Sequence, residues 1–188
     1  MENIQKYLSQ MGLGETTVFE NLTMFGVGGA SDGSLDYLTL ADAIKLEGAR
    51  VSEISDNGSV PELLFANSAD LPVLILDGEE LIGAKQNRTV NLTILAPAEK
   101  TIKIPVSCVE AGRWRHQTAH FAMSDGHHFA QGRAVKAASV SDSLRMGGSR
   151  RVDQRRVWAD IAEKAARMEA PSPTQAMAEI FDRHRTSL

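Results

Sequence analysis

Cysteine is almost missing from this chain: Cys108 is the only one in 188 residues. That excludes an internal disulfide framework and fits a reducing compartment. No apolar run is long enough to span a bilayer, so no membrane partner is expected. The opening MENIQKYLSQMG has neither a basic nor an apolar leader-like segment, so no secretory signal is expected and cytoplasm is the default. Aromatic residues make up 5% of the chain and the net charge is −4, which argues against a nucleic-acid binder. The Gly26-Val27-Gly28-Gly29 stretch lacks a Walker lysine and a βαβ setting, so it and Gly33 read as a flexible connection.

An apolar content of 43% with 23% charged residues suits one soluble globular domain over 1–188. Charge divides unevenly along it. Residues 1–112 carry 7 basic and 16 acidic side chains, a sum of −9; residues 113–188 carry 13 and 8, a sum of +5. Opposite charge in two halves means either that they pack on each other, the preferred reading, or that the basic half meets an acidic ligand.

Apolar spacing predicts a short helix through Ile4, Tyr7, Leu8 and Met11, then a first strand over 17–25. Thr39 with Asp42 signals a helix start. Strands are predicted over 50–55, 62–67, 73–76, 79–82, 88–95 and 101–109. Asp77-Gly78 reads as a hairpin turn and residues 96–100 as another. Residues 115–148 show no sustained period and read as irregular, with one helix around 133–144. Val157, Trp158, Ile161, Ala165 and Met168 mark a helix beginning near Ser149. Ser172-Pro173-Thr174-Gln175 has the form of a capping box before another helix. The predicted class is α+β: a mainly antiparallel β-sandwich or barrel-like body, about 15–114, with C-terminal helices in 115–188.

The strands over 88–95 and 101–109 carry polar residues on the face that should be buried. Val90, Leu92 and Ile94 extend by parity to Arg88 and Gln86; Ile102, Ile104 and Val106 extend to Cys108 and Glu110. Two registers keep the faces matched: one opposes Arg88 to Glu110, the other opposes Arg88 to Cys108 and Gln86 to Glu110. Either gathers these four residues at one end of one face. Buried charge is costly unless paired, so the cluster is a pocket or a sealed ion pair. Arg113 and Trp114 leave the strand at the same end. The candidate ligand-binding set is therefore Gln86, Arg88, Glu110, Arg113, Trp114 and Glu80, with the register of Glu79 and Glu80 left open by Gly83. Glu110 is the candidate general base.

Other chemistry reads more plainly. Inward parity makes Cys108 a small hydrophobe rather than a catalytic thiol. His116, His120, His127 and His128 invite a divalent-metal site but lack convergent spacing, so they read as surface residues and no metal or cofactor is predicted. Arg145, Arg150, Arg151, Arg155 and Arg156 read as a solvated helix start.

The strings LILDGEELIGAKQNRTVNLTILAP and IPVSCVEAGRW resemble the ADP-ribosylglycohydrolase and rhodanese-phosphatase superfamily-associated protein domain family. YLTLADAI and VDQRRVWADI are similar to weaker parts of its pattern. The resemblance implies a largely uncharacterised domain with a role in NAD or ADP-ribose metabolism. The expected function is binding of a small anionic ligand, a nucleotide or ADP-ribose derivative. The alternatives are a non-catalytic interaction module with a structural Arg–Glu pair, and a metal-dependent hydrolase.

Overall fold

The computed structural model describes residues 2–29, 36–55, 61–147, 150 and 152–185. Its contacts divide the chain into two compact units, Met1–Asp36 and Tyr37–Leu188. In the first, helix α1 (Glu2–Ser9) precedes an antiparallel pair, β1 (Gly12–Phe19) and β2 (Leu22–Gly28). The single strand expected over 17–25 is broken by a turn at Glu20, whose φ is +50°, so that Phe19 faces Leu22. That reversal carries no glycine or proline, which is why apolar spacing misses it. Gly26 and Gly28, read as part of a flexible connection, lie in β2, whereas Gly33 falls outside the described residues.

In the second unit Thr39 caps α2 (Leu40–Lys45), its Oγ1 accepting from the Asp42 N–H at 3.1 Å, as the spacing predicts. The main sheet has six antiparallel strands. Their order is β11 (Phe121–His127), β7 (Glu79–Gly83), β8 (Arg88–Val90), β10 (Thr101–Cys108), β5 (Glu62–Asn67) and β4 (Ala49–Ser52). It curls into a half-barrel, with C-terminal helices completing an α+β fold. A smaller sheet joins β3 (Leu38–Thr39), β6 (Val73–Ile75) and β9 (Ile94–Ala96). The core between them is built from Val51, Leu63, Phe65, Val73, Ile75, Leu81, Val90, Ile104 and Val106, all essentially inaccessible. Alternation along β5 shows why: every second residue from Leu63 is buried.

Two expected hairpins are not formed. Residues 88–95 split into β8 and β9, and β9 pairs with β6 instead of β10. Strand β10 changes partner midway, pairing with β5 from Thr101 to Pro105 and with β8 from Val106 to Cys108. Pro105 has no N–H to give a continuous ladder, and the switch falls there. The carbonyl of Pro105 accepts from the Asn91 N–H at 3.0 Å, and Ser107 Oγ donates to Asn91 Oδ1 at 2.9 Å. Asp77-Gly78 likewise carries the chain from the small sheet to the large one. Glycine is required there: φ is +92°, and a Cβ would meet Arg133 Cδ at 2.4 Å.

The stretch read as irregular contains β11 and a longer helix, α3 (Ala130–Arg145). A register break between Met123 and His127 hides the strand's alternation. Helix α4 (Gln154–Arg167) starts later than expected because Asp153 caps it, accepting from the Arg155 N–H at 3.0 Å; Ser149 lies outside the described residues. Val157 and Ile161 of α4 pack with Val109, Ala170, Met177 and Ile180 in a second apolar cluster. The supposed capping box at Ser172 is a turn instead, with Ser172 Oγ accepting from the Ala176 N–H at 2.9 Å. Gln175 there has φ of +55°, outside the helical region, so α5 (Ala178–His184) begins only after it.

Candidate functional site

One end of the half-barrel's inner face is polar, and three strands position it. Arg88 in β8 stands between Leu81 of β7 and Cys108 of β10. This is the second of the two registers the alternation allows. Glu53 follows β4 on the same face as Val51, two residues on. The Arg88 guanidinium is wholly buried. Its Nη1 donates to Gln86 Oε1 at 2.8 Å and to Cys108 Sγ, and its Nη2 lies 3.7 Å from Glu53 Oε1. That separation is an ion pair but too long for a hydrogen bond. Among the described residues, Arg88 Nε and Nη2 therefore have no hydrogen-bond acceptor, and Glu53 Oε1 and Oε2 have no donor, although all four atoms are buried.

Trp114 closes this end. Its ring centroid lies 5.5 Å from Arg88 Cζ and 5.7 Å from Lys85 Nζ, within cation–π range of both. The side chain is still 51% exposed, so an aromatic surface stands in solvent directly above two cations. Burial pushes the Cys108 thiol up to about 11 against the pull of Arg88, so it stays protonated at neutral pH. A protonated, buried thiol is a packing group here and not a nucleophile.

Arg88 and Glu110 do not pair. Beyond Cys108 the chain leaves the ladder, and Glu110 bridges Ala176 instead. Its Oε2 accepts from Arg113 Nε at 2.8 Å and from the Asn87 N–H at 3.1 Å, and its Oε1 from Thr174 Oγ1 at 2.8 Å. Burial raises the Glu110 carboxyl, but bonds from Arg113, Thr174 and Asn87 outweigh it and hold the group below its ordinary value. Each oxygen is thus already engaged, which suits an anchor better than a proton acceptor.

Arg113 is engaged just as fully. Nη1 donates to Ala84 O and Arg115 O; Nη2 donates to Gly83 O and Asn87 Oδ1 and pairs with Glu110. Its fork ties the loop over 83–87 to the chain leaving β10. This loop carries both Lys85 and Gln86. Gln86 then links the two polar groups, accepting from Arg88 and donating to the Glu110 carbonyl oxygen.

Glu80 belongs elsewhere. It lies opposite Thr89 while Leu81 lies opposite Arg88, so Glu80 faces away from the guanidinium on the other side of the sheet. It is fully buried, accepts from Ser124 Oγ at 3.0 Å, and is pushed up to about 7, chiefly by burial. On that same side Lys136 of α3 donates to Val90 O at 2.7 Å and pairs with Asp77 at 3.1 Å, joining basic helix to acidic sheet. Burial lowers Lys136 to about 8 and the neighbouring His128 to about 3. His116, His120 and His127 are exposed, and His128 is buried. Among the described residues no three His, Cys, Asp or Glu side chains converge as a metal site requires. Arg145, Arg150, Arg155 and Arg156 are exposed, and Arg151 lies outside the described residues.

Glu53, Asn87, Lys136 and Thr174 are polar partners outside the candidate set that the sequence suggests. Glu53 carried a usable signal, since the strand expected over 50–55 points it inward with Val51.

The family model for the ARG and Rhodanese-Phosphatase-superfamily-associated Protein domain matches residues 10–188. The chain belongs to this family. The matched span includes Glu53, Lys85, Gln86, Arg88, Cys108 and Trp114, so the polar end of the half-barrel is part of the family domain. No curated protein and no solved structure matches the chain.

Proposed function

We propose that this family domain binds a small anionic ligand, a nucleotide or ADP-ribose derivative, at the Arg88 end of the half-barrel. The observation that carries the reading is the pair of buried Arg88 donors, Nε and Nη2, that no acceptor among the described residues satisfies. Buried donors without acceptors are costly, and an anionic oxygen relieves that cost with charge-assisted hydrogen bonds. Gln86 orients the guanidinium from below, and the half-exposed Trp114 ring offers a face on which a base or sugar stacks. Lys85 adds a second cation beside that ring. Arg113 and Glu110 serve as the frame that holds the 83–87 loop. ADP-ribose as the ligand rests on the family resemblance, and anion binding rests on the side chains. A cytoplasmic setting belongs to this reading, supported by the lone cysteine held as a buried thiol.

The test is calorimetric titration of the purified chain with ADP-ribose, NAD, AMP and a sugar phosphate. Binding is expected for at least one of them and is lost in Arg88→Ala, with circular dichroism showing that the variant is folded. Trp114→Ala weakens the same ligand roughly ten-fold, the scale of one lost stacking contact. No heat and no thermal shift with any of the four sinks the reading and leaves Arg88–Glu53 as a structural pair within an interaction module.

A further inference from the structure

The Arg88 donors are only half of the polar surface at this end. Glu53 brings two carboxylate oxygens, its side chain 7% exposed, and among the described residues neither oxygen has a hydrogen-bond donor. Two donors and two acceptors thus sit side by side, 3.7 Å apart at their nearest, and leave each other's hydrogen bonds unmade. Native structures satisfy nearly all buried polar atoms, so four in one place call for a cause.

The chemistry of these four atoms restricts what can satisfy them together. A bare phosphate or pyrophosphate presents only acceptors. It meets Arg88 but places negative charge against the Glu53 carboxylate. A hydroxyl can donate and accept, and two adjacent hydroxyls donate one hydrogen to each oxygen of a single carboxylate. The remaining oxygens of such a sugar, or a phosphate attached to it, accept from Arg88 Nε and Nη2. Trp114 beside them supplies the flat apolar face that a sugar or base ring packs on.

We infer that Glu53 is the selectivity residue of the site, and that it selects a ribose through its adjacent hydroxyls over a bare anion. This rests on the anion-binding reading above and goes one step beyond it. Arg88 takes the negative oxygen, and Glu53 takes the diol. Cys108 and Gln86, which hold the other Arg88 nitrogen, keep the guanidinium plane fixed while Nε and Nη2 serve the ligand. A site built this way rejects an analogue lacking the hydroxyls, because its buried oxygens then stay unpaired.

The experiment is titration of the full chain with three probes: AMP, its dideoxy analogue lacking both ribose hydroxyls, and pyrophosphate. AMP is expected to bind roughly 100-fold more tightly than the dideoxy analogue, the scale of a buried polar group left unpaired. In Glu53→Gln that ratio collapses to within about three-fold, while pyrophosphate binds as well as or better than before, since a like charge is gone. The wild-type ratio is decisive without any variant, so a Glu53→Gln protein that fails to fold does not spoil the test. Equal binding of all three probes, lost in Arg88→Ala, overturns the role of Glu53 and leaves the anion reading standing. Binding of none of them overturns the role of Glu53, and the anion reading falls with it when ADP-ribose, NAD and the sugar phosphate also fail to bind.

Discussion

Glu110 and Arg113 clasp each other three residues apart in sequence, carboxylate and guanidinium 2.7 Å from one another and both nearly inaccessible to water. Around them lie Asn87, Thr174 and the carbonyls of Gly83 and Ala84, so three separate chain segments meet at one ion pair. Removing one member of a buried pair leaves the other charge uncompensated. Arg113→Met should therefore lower stability by about 3–5 kcal/mol, read as a shifted urea midpoint with an unchanged slope. A loss below about 1 kcal/mol would mean that water reaches the pair and the clasp is a surface contact.

The same carboxylate sets an acid limit. The folded protein holds Glu110 below its ordinary value of 4.5, so its stabilising contribution is complete above the unfolded value. It is lost as pH falls through the lower, folded value. Glu110→Gln should be less stable than the parent at neutral pH, and the gap should narrow under acid. A gap that stays constant on acidification contradicts the assignment.

Cys108 offers a chemical readout of the core around Arg88. With the thiol buried and pushed up to about 11, the native protein should react with a thiol reagent no faster than it unfolds. Full labelling appears only in denaturant. Rapid labelling of native protein would place Cys108 in an open, electropositive pocket and reassign it as a reactive group.

Much of this end of the molecule was legible in the alternation of β10 and β8, because period two fixes a face regardless of what lies across it. Arg88 and Cys108 converge for that reason, whereas Gln86 reaches Arg88 from the loop over 83–87. Partner choice was not legible. Nothing local to Thr101–Pro105 announces that it pairs with β5, sixty-odd positions into the chain, while Val106–Cys108 pairs with β8. Glu110 moved out of the Arg88 cluster because parity holds only while the ladder lasts, and the ladder stops at Cys108. Glu53 shows the converse: it lies just past the end of β4, yet the alternation set by Val51 still points it inward. Lys136 had no signal, since α3 shows little amphipathic order and its lysine points into the sheet through tertiary packing alone.

Lys136 predicts an alkaline trend. Burial lowers its folded value from 10.5 to about 8, so across that interval the unfolded chain holds the proton more tightly than the native protein. Stability should rise with pH between those limits, other groups aside. In Lys136→Met the rise attributable to this site vanishes. Difference curves of urea midpoint against pH, parent minus variant, isolate it; a flat difference refutes the burial of a titrating amine.

Glu80 predicts the opposite slope at lower pH. Its folded value is pushed up from 4.5 to about 7, chiefly by burial, which outweighs the lowering effect of the hydrogen bond from Ser124. Between those two values the native state binds the proton more tightly than the unfolded chain, so stability falls as pH rises through the interval. Once both states are ionised the penalty is constant. Glu80→Gln keeps the shape and the acceptor for the Ser124 hydroxyl while removing the charge. The variant should exceed the parent by roughly 1–3 kcal/mol at mildly alkaline pH and match it near the acid end of the interval. A variant less stable than the parent across the whole range would show that ionised Glu80 has a cationic partner, and that the buried carboxylate is paired.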